Sequence, residues 1–208
     1  MEETRKAGNS GTPILSKWLM PLFWLNIPQI AALILRLDQI AALHPAIGWF
    51  GELLNFACAL IYAGILFRLG TAQRQYRAAG IFCLLDVAIS LFVRLAVDQT
   101  ETMWLLLLFV PAVYVRLAGV YNEYTAHREV LAGEDDARAD RWYVLRKWCI
   151  GLTCTMTAGI LLLFAVPFIG YITLLIVVTG LIILDVLRMV NLYATAKLFK
   201  HTCQDKAV

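Results

Sequence analysis

Two acidic side chains lie inside apolar stretches, and basic side chains at nearby positions are suited to pair with them. Asp86 and Asp185 each have apolar residues on both sides. An ionised carboxylate in hydrocarbon is costly, so such residues usually face the interior of a helix bundle and pair there. Arg188 follows Asp185 by one helical turn, and Arg116 lies at a compatible depth on another predicted helix. These four residues are candidates for binding a small solute, an ion or protons.

Arg68 joins the candidate ligand-binding residues through a similarity between three segments. In each, an arginine is followed five residues later by a glutamine or tyrosine: Arg68 with Gln73, Arg116 with Tyr121, and Arg188 with Tyr193. Three repeated hairpins would produce this pattern, and transporters often place their sites at repeat interfaces. Snorkelling arginines and an interfacial aromatic belt produce it without any repeat. The acid and base pairs likewise have a structural interpretation, as salt bridges that lock the bundle.

No sequence motif indicates a reaction. The chain has no GxSxG, no HExxH and no paired-glycine phosphate loop. Its five cysteines form no CxxC and no Cys/His cluster at metal spacing, so they are expected to be small buried apolar residues. We therefore predict no catalytic residue, no metal site and no cofactor, and consider an enzyme acting on lipid or isoprenoid substrates a third possibility.

The composition is that of a membrane protein. Hydrophobic residues make up 61% of the chain and charged residues 16%, and the mean hydropathy is +0.71, outside the range of ordinary soluble domains. The chain of 208 residues has room for several spans but for no attached soluble module. The net charge of +3 is small and the basic residues cluster near predicted helix ends, which argues against nucleic-acid binding.

The longest charge-free run, Cys149 to Leu184, predicts a transmembrane hairpin. As one helix it would extend roughly 50 Å, whereas a hydrocarbon core is about 30 Å thick. Pro167 and Gly170 interrupt the run near its middle, where the chain is expected to turn. The two arms are the predicted spans 148–166 and 171–190.

Four further spans are predicted from apolar runs between polar or turn residues. They are about 18–37, 50–70, 78–97 and 103–122. The first also has a rival interpretation as a signal peptide, because Lys17 precedes the apolar run and small residues follow it. The predicted organisation is a flexible tail over 1–16, a six-helix transmembrane domain over 17–197 and a basic tail over 198–208.

The distribution of basic residues predicts the orientation. Arg36 and Arg94 fall on one side of the six spans, and the other sixteen of the 18 lysines and arginines fall on the opposite side. The positive-inside rule then places both termini in the cytosol. The predicted fold is an all-α bundle of six transmembrane helices, arranged as three outward-pointing hairpins in the cell membrane.

Two function classes remain open from the sequence. The first is binding or transport of a small polar or charged solute or ion at a polar site in the inner half of the bundle. The second is a membrane anchor, regulator or scaffold that contacts a protein partner through the cytosolic segment 123–147. In that segment Gly133 is predicted to cap one helix, and Asp135 or Asp136 to begin the next. The lipid bilayer is the one partner that both classes require.

Overall fold

The computed structural model describes residues 2–37, 40, 44–97 and 102–205, and all regular structure in these ranges is helical. Seven helices are delimited within them. They are α1 (Glu2–Trp24), α2 (Asn26–Leu35), α3 (Pro45–Leu69), α4 (Arg74–Val97), α5 (Thr102–Leu131), α6 (Asp136–Ala165) and α7 (Pro167–Asp205). The predicted all-α fold is confirmed.

Five helical segments are long and apolar enough to cross a membrane. They are Pro13–Leu35, Ala46–Leu69, Arg74–Val93, Asp136–Ala165 and Pro167–Cys203. The predicted span 103–122 lies within the 30-residue helix α5, where the side chains of 103–110 are outside the described part of the chain. Parts of two predicted connections, 38–49 and 98–102, also lie outside it, namely residues 38, 39, 41–43 and 98–101. Several long apolar helices in one chain are those of a multi-pass membrane protein.

Local sequence signals account for most helix ends. The His44 ring accepts a hydrogen bond from the Ala46 amide at 3.1 Å and caps α3, which therefore starts five residues before the predicted span. Between α5 and α6, Gly133 has a φ of +84°, and the Asp135 carboxylate accepts from the Arg138 amide at 3.0 Å. Both predicted caps of this connection are confirmed.

The predicted hairpin turn at Pro167 is also present. Only Val166 separates α6 from α7, and Pro167 opens α7, at the position where a missing backbone N–H costs least. A Cβ on Gly170 would lie 2.5 Å from the Leu163 backbone nitrogen, so glycine allows the two helices to meet this closely. Farther along the hairpin, Gly159 packs against Leu174, as small residues do between membrane helices.

The ends of the chain are more helical than predicted. The structure records helix from Glu2, inside the predicted tail 1–16, and Leu25 alone separates α1 from α2. There the side-chain amide of Asn26 donates to the carbonyls of Leu22 at 3.1 Å and Phe23 at 2.9 Å. Both carbonyls lie between Pro21 and Pro28, in a stretch where prolines interrupt the helical hydrogen bonding. At the other end, α7 continues to Asp205, so most of the predicted tail 198–208 is its final turns.

The helices form a closed ring. Each packs against the next along the chain, and α7 returns to pack against α1. Large buried side chains concentrate toward the end of the ring that carries the α3–α4 and α5–α6 connections and the last turns of α7. We call this the basic end, because it holds most of the lysines and arginines. Near the α6–α7 turn, by contrast, Phe164 is 72% exposed and Phe168 is 76% exposed.

Candidate functional site

Three side chains from alternate helices meet inside the ring. The Tyr62 hydroxyl of α3 donates to Glu123 Oε1 of α5 at 2.6 Å. Arg188 of α7 donates from Nη2 to the same oxygen at 3.2 Å, and also donates to the Tyr62 hydroxyl. Since α3, α5 and α7 are not packed as neighbours in the described part of the ring, these long side chains connect the helices across its centre.

The ion pair at this centre is shielded from solvent. The Glu123 side chain is 5% exposed and that of Arg188 is 17% exposed. A buried pair gains little net stability over apolar side chains, but breaking it by removing one partner is strongly destabilising.

Glu123 directly follows the predicted span 103–122. Burial acts to raise its pKa, but Arg188 together with His127 and Tyr62 outweighs burial and lowers the pKa to about 2.

His127 extends the cluster by one turn along α5. Its Nδ1 lies 2.8 Å from the Tyr76 hydroxyl, and its ring stacks on Trp142 with centroids 4.3 Å apart. Trp142 in turn donates to the Thr195 hydroxyl at 3.2 Å. Burial lowers the pKa of His127, and the nearby Glu123 carboxylate offsets this only in part. At neutral pH the imidazole is therefore neutral.

Two nitrogen atoms in this cluster are buried without a hydrogen-bond partner among the described residues: His127 Nε2 and Arg188 Nε. The first lies 3.7 Å from Glu123 Oε1, beyond hydrogen-bond length. Buried polar atoms left unpaired cost about 1–3 kcal/mol each and are uncommon in folded proteins. Both belong to side chains that face the Glu123 carboxylate. Two unpaired hydrogen-bonding atoms therefore lie beside one charged group.

The five residues predicted to bind ligand are spread over different environments. Arg188 belongs to the central cluster, whereas the side chain of Asp185 is 65% exposed and its Oδ1 lies 3.9 Å from Arg188 Nη1. Asp86 is half-buried, and Arg116 and Arg68 are exposed. Of the predicted pairings, Asp185 with Arg188 comes within 4.0 Å, at a longer distance than Arg188 keeps from Glu123, and Asp86 with Arg116 does not come that close.

Sequence reasoning missed Glu123, His127 and Tyr62 as site residues. Glu123 and His127 lie in the segment predicted to be cytosolic, 123–147, and they stand four residues apart and so share a helix face. Tyr124 and Leu131 are buried beside that face. This amphipathic spacing was the available signal, since two ionisable residues in an apolar stripe indicate a buried pair. Tyr62 gave no signal, because it lies in an apolar run.

The cluster does not resemble a metal centre. No group of three or more His, Cys, Asp or Glu side chains in the described ranges is placed to hold a metal ion. Its chemistry is that of one carboxylate, one guanidinium, a neutral imidazole and two phenols, which can bind polar and charged groups.

Comparison with protein-family models, with curated proteins and with solved structures gives no match for this chain. Its class therefore rests on its own fold and site. It is a multi-pass helical membrane protein whose ring encloses a charged and aromatic cluster near the basic end.

Proposed function

We propose that this protein binds or transports a small polar or charged solute, or an ion, at the cluster of Tyr62, Glu123, His127 and Arg188. The observation that carries the proposal is the pair of buried, unpartnered nitrogens beside the Glu123 carboxylate. A solute that offers an acceptor to Arg188 Nε, or a partner to His127 Nε2, would remove that penalty. Of the predicted site residues, Arg188 would contact the solute directly. Asp185 would pair with Nη1, a guanidinium nitrogen of Arg188 that does not contact Glu123.

The proposed arrangement in the membrane is six spans, with α1 and α2 forming the first and both termini in the cytosol of a cell membrane. The basic end would then face the cytosol, in agreement with the positive-inside rule. The solute site would lie in the inner half of the bundle. Arg188 lies inside the predicted span 171–190, and a charged residue within a span usually lines a solute, ion or proton pathway, which supports a transport role over a passive one.

The test is whether the purified protein retains a solute. Native mass spectrometry and extraction of small molecules would be applied to the parent, to Glu123→Gln and to Asp140→Asn, a control at an exposed position outside the cluster. We expect a bound small polar species in the parent, at least tenfold less of it in Glu123→Gln, and less than twofold change in the control. Equal retention by all three proteins, with melting unchanged, would contradict a site at Glu123.

The alternative function, an anchor or scaffold acting through 123–147, is favoured by one observation. The segment is an ordered hairpin of the end of α5 and the start of α6, closed by Gly133 and Asp135. Its outward side chains, including Glu134 and Arg141, are exposed. Replacing both with alanine would reduce capture of a partner while leaving solute retention unchanged, so the two functions can be separated.

A further inference from the structure

A second cluster of charges lies on the surface of the α5–α6 pair, apart from the central cluster. Three cationic groups approach the ring of Tyr143: Lys147 Nζ at 4.4 Å, Arg128 Cζ at 4.8 Å and Arg146 Cζ at 5.2 Å from its centroid. Each distance is within the range of a cation–π contact. The ring thus gathers three positive charges from two helices at one place.

These three cations have no carboxylate within 4.0 Å in the described part of the chain. By contrast, Arg138, earlier on α6, pairs with Asp135 at 3.0 Å. Like charges gathered around one ring repel one another, and cation–π contacts offset that repulsion only partly at an exposed site. An anion placed among the three would therefore be stabilised by all of them.

Arg146 is already positioned by protein contacts. Its Nη1 donates to the Thr125 hydroxyl at 2.9 Å, and its guanidinium also lies 4.9 Å from the centroid of the Tyr121 ring. A guanidinium fixed in this way loses little side-chain entropy when it binds a ligand, and its planar set of donors matches phosphate oxygens. Lys147 adds a flexible ammonium, which contacts phosphate as a point charge.

The cluster lies at the expected level of the lipid headgroups. Lys147 directly precedes Trp148, which is 62% exposed and begins the predicted fifth span. Tyr121 is exposed near the end of the predicted fourth span. At helical rise, Arg128 and Tyr143 are within roughly 10 Å of these two positions along their helices. Interfacial tryptophan and tyrosine mark the headgroup level, where lipid phosphates are found.

We propose that Arg128, Arg146 and Lys147 around Tyr143 bind the headgroup phosphate of an anionic phospholipid. The charge of the cluster, its lack of acidic partners and its depth all favour this occupant over a soluble anion. The site goes beyond the proposed solute site, because none of its residues belongs to the central cluster. Anionic lipid in the cytoplasmic leaflet would hold the α5–α6 hairpin against the membrane.

The test compares lipid binding by matched variants. The purified full chain in detergent would be titrated with phosphatidylglycerol or phosphatidylcholine, and bound lipid counted by native mass spectrometry. The site variant is Arg128→Gln, Arg146→Gln, Lys147→Gln. The control variant removes equal charge from exposed positions at the same end: Arg74→Gln, Arg77→Gln, Lys200→Gln.

We expect the parent to bind phosphatidylglycerol at least fivefold more tightly than phosphatidylcholine. The site variant should lose most of that preference. In the control variant the preference should fall by less than twofold. If the triple variant does not fold, the double variant Arg128→Gln, Lys147→Gln can replace it. This variant retains Arg146 and should lose part of the preference. Equal losses in site and control variants would overturn the proposal. So would displacement of the lipid by millimolar inorganic phosphate, which would assign the site to a soluble anion.

Discussion

Glu123 Oε1 and Arg188 Nη2, separated by 65 positions in the sequence, lie 3.2 Å apart inside the ring. This contact joins α5 to α7, which do not pack directly as neighbours in the described part of the bundle. The Tyr62 hydroxyl bonds to the same carboxylate oxygen and brings in α3. One carboxylate therefore connects three alternate helices.

Breaking the pair from one side should be more harmful than replacing both partners. Glu123→Ala leaves a buried guanidinium without its acid, which typically costs about 3–5 kcal/mol, whereas Glu123→Leu with Arg188→Met should recover most of that loss. Thermal melting in detergent measures both. The exposed partner gives the control, since Asp185→Ala should cost less than about 1 kcal/mol. A double variant that melts no higher than Glu123→Ala would contradict a structural pair.

Acidification should destabilise the protein through His127 and Glu123. Folding lowers the pKa of His127 below 6.5 and that of Glu123 from 4.5 to about 2. For a lowered pKa, the unfolded chain binds protons first, so this stability is complete above the unfolded value and is lost as pH falls. The His127 contribution should decline below about pH 6.5 and the Glu123 contribution between about pH 4.5 and 2.

Melting temperature measured in detergent from pH 7.5 to 5 tests the histidine part. The parent should melt at progressively lower temperature below about pH 6.5. His127→Gln, which keeps a polar side chain but does not titrate, should be less stable at pH 7.5 and nearly insensitive over this range. A parent that becomes more stable on acidification would show that the imidazole is protonated in the folded state.

Two glycines of the α6–α7 hairpin should respond oppositely to alanine. A Cβ on Gly170 would meet the Leu163 backbone nitrogen at 2.5 Å, so Gly170→Ala must push the helices apart. A Cβ on Gly151 would have no atom within 4 Å, so Gly151→Ala should be neutral or raise stability by up to about 1 kcal/mol through helix propensity. Melting of the two variants distinguishes them. Equal stability would mean that the hairpin is looser than the structure shows.

The proposed orientation can be tested by labelling single cysteines in a cysteine-free background. Cysteines at the exposed positions Ala46 and Phe168 should react with an impermeant thiol reagent added to intact cells. Cysteines at Thr71 and Glu134, which are exposed at the basic end, should react only after the membrane is opened. Labelling of Glu134→Cys in intact cells would reverse the orientation.

Local features of the fold follow from the sequence because their causes are local. A charge-free run too long for one crossing must turn, and Pro167 with Gly170 marks where. Gly133 and Asp135 satisfy backbone groups within a few residues of themselves, so their caps were predictable from residue type and order. The membrane class follows from composition, since so many apolar side chains can be covered only by lipid.

The identity of the buried pair was decided only by the tertiary structure. From the sequence, Asp185 is the natural partner of Arg188, since three residues along a helix bring side chains together. Instead α7 is rotated so that Arg188 points inward and Asp185 remains 65% exposed. Hydropathy fixes how deep a helix lies but not its rotation, which depends on packing against its neighbours. The sequence alone therefore determined which segments form long apolar helices and where they turn, while the packing of the ring decided which acid Arg188 meets.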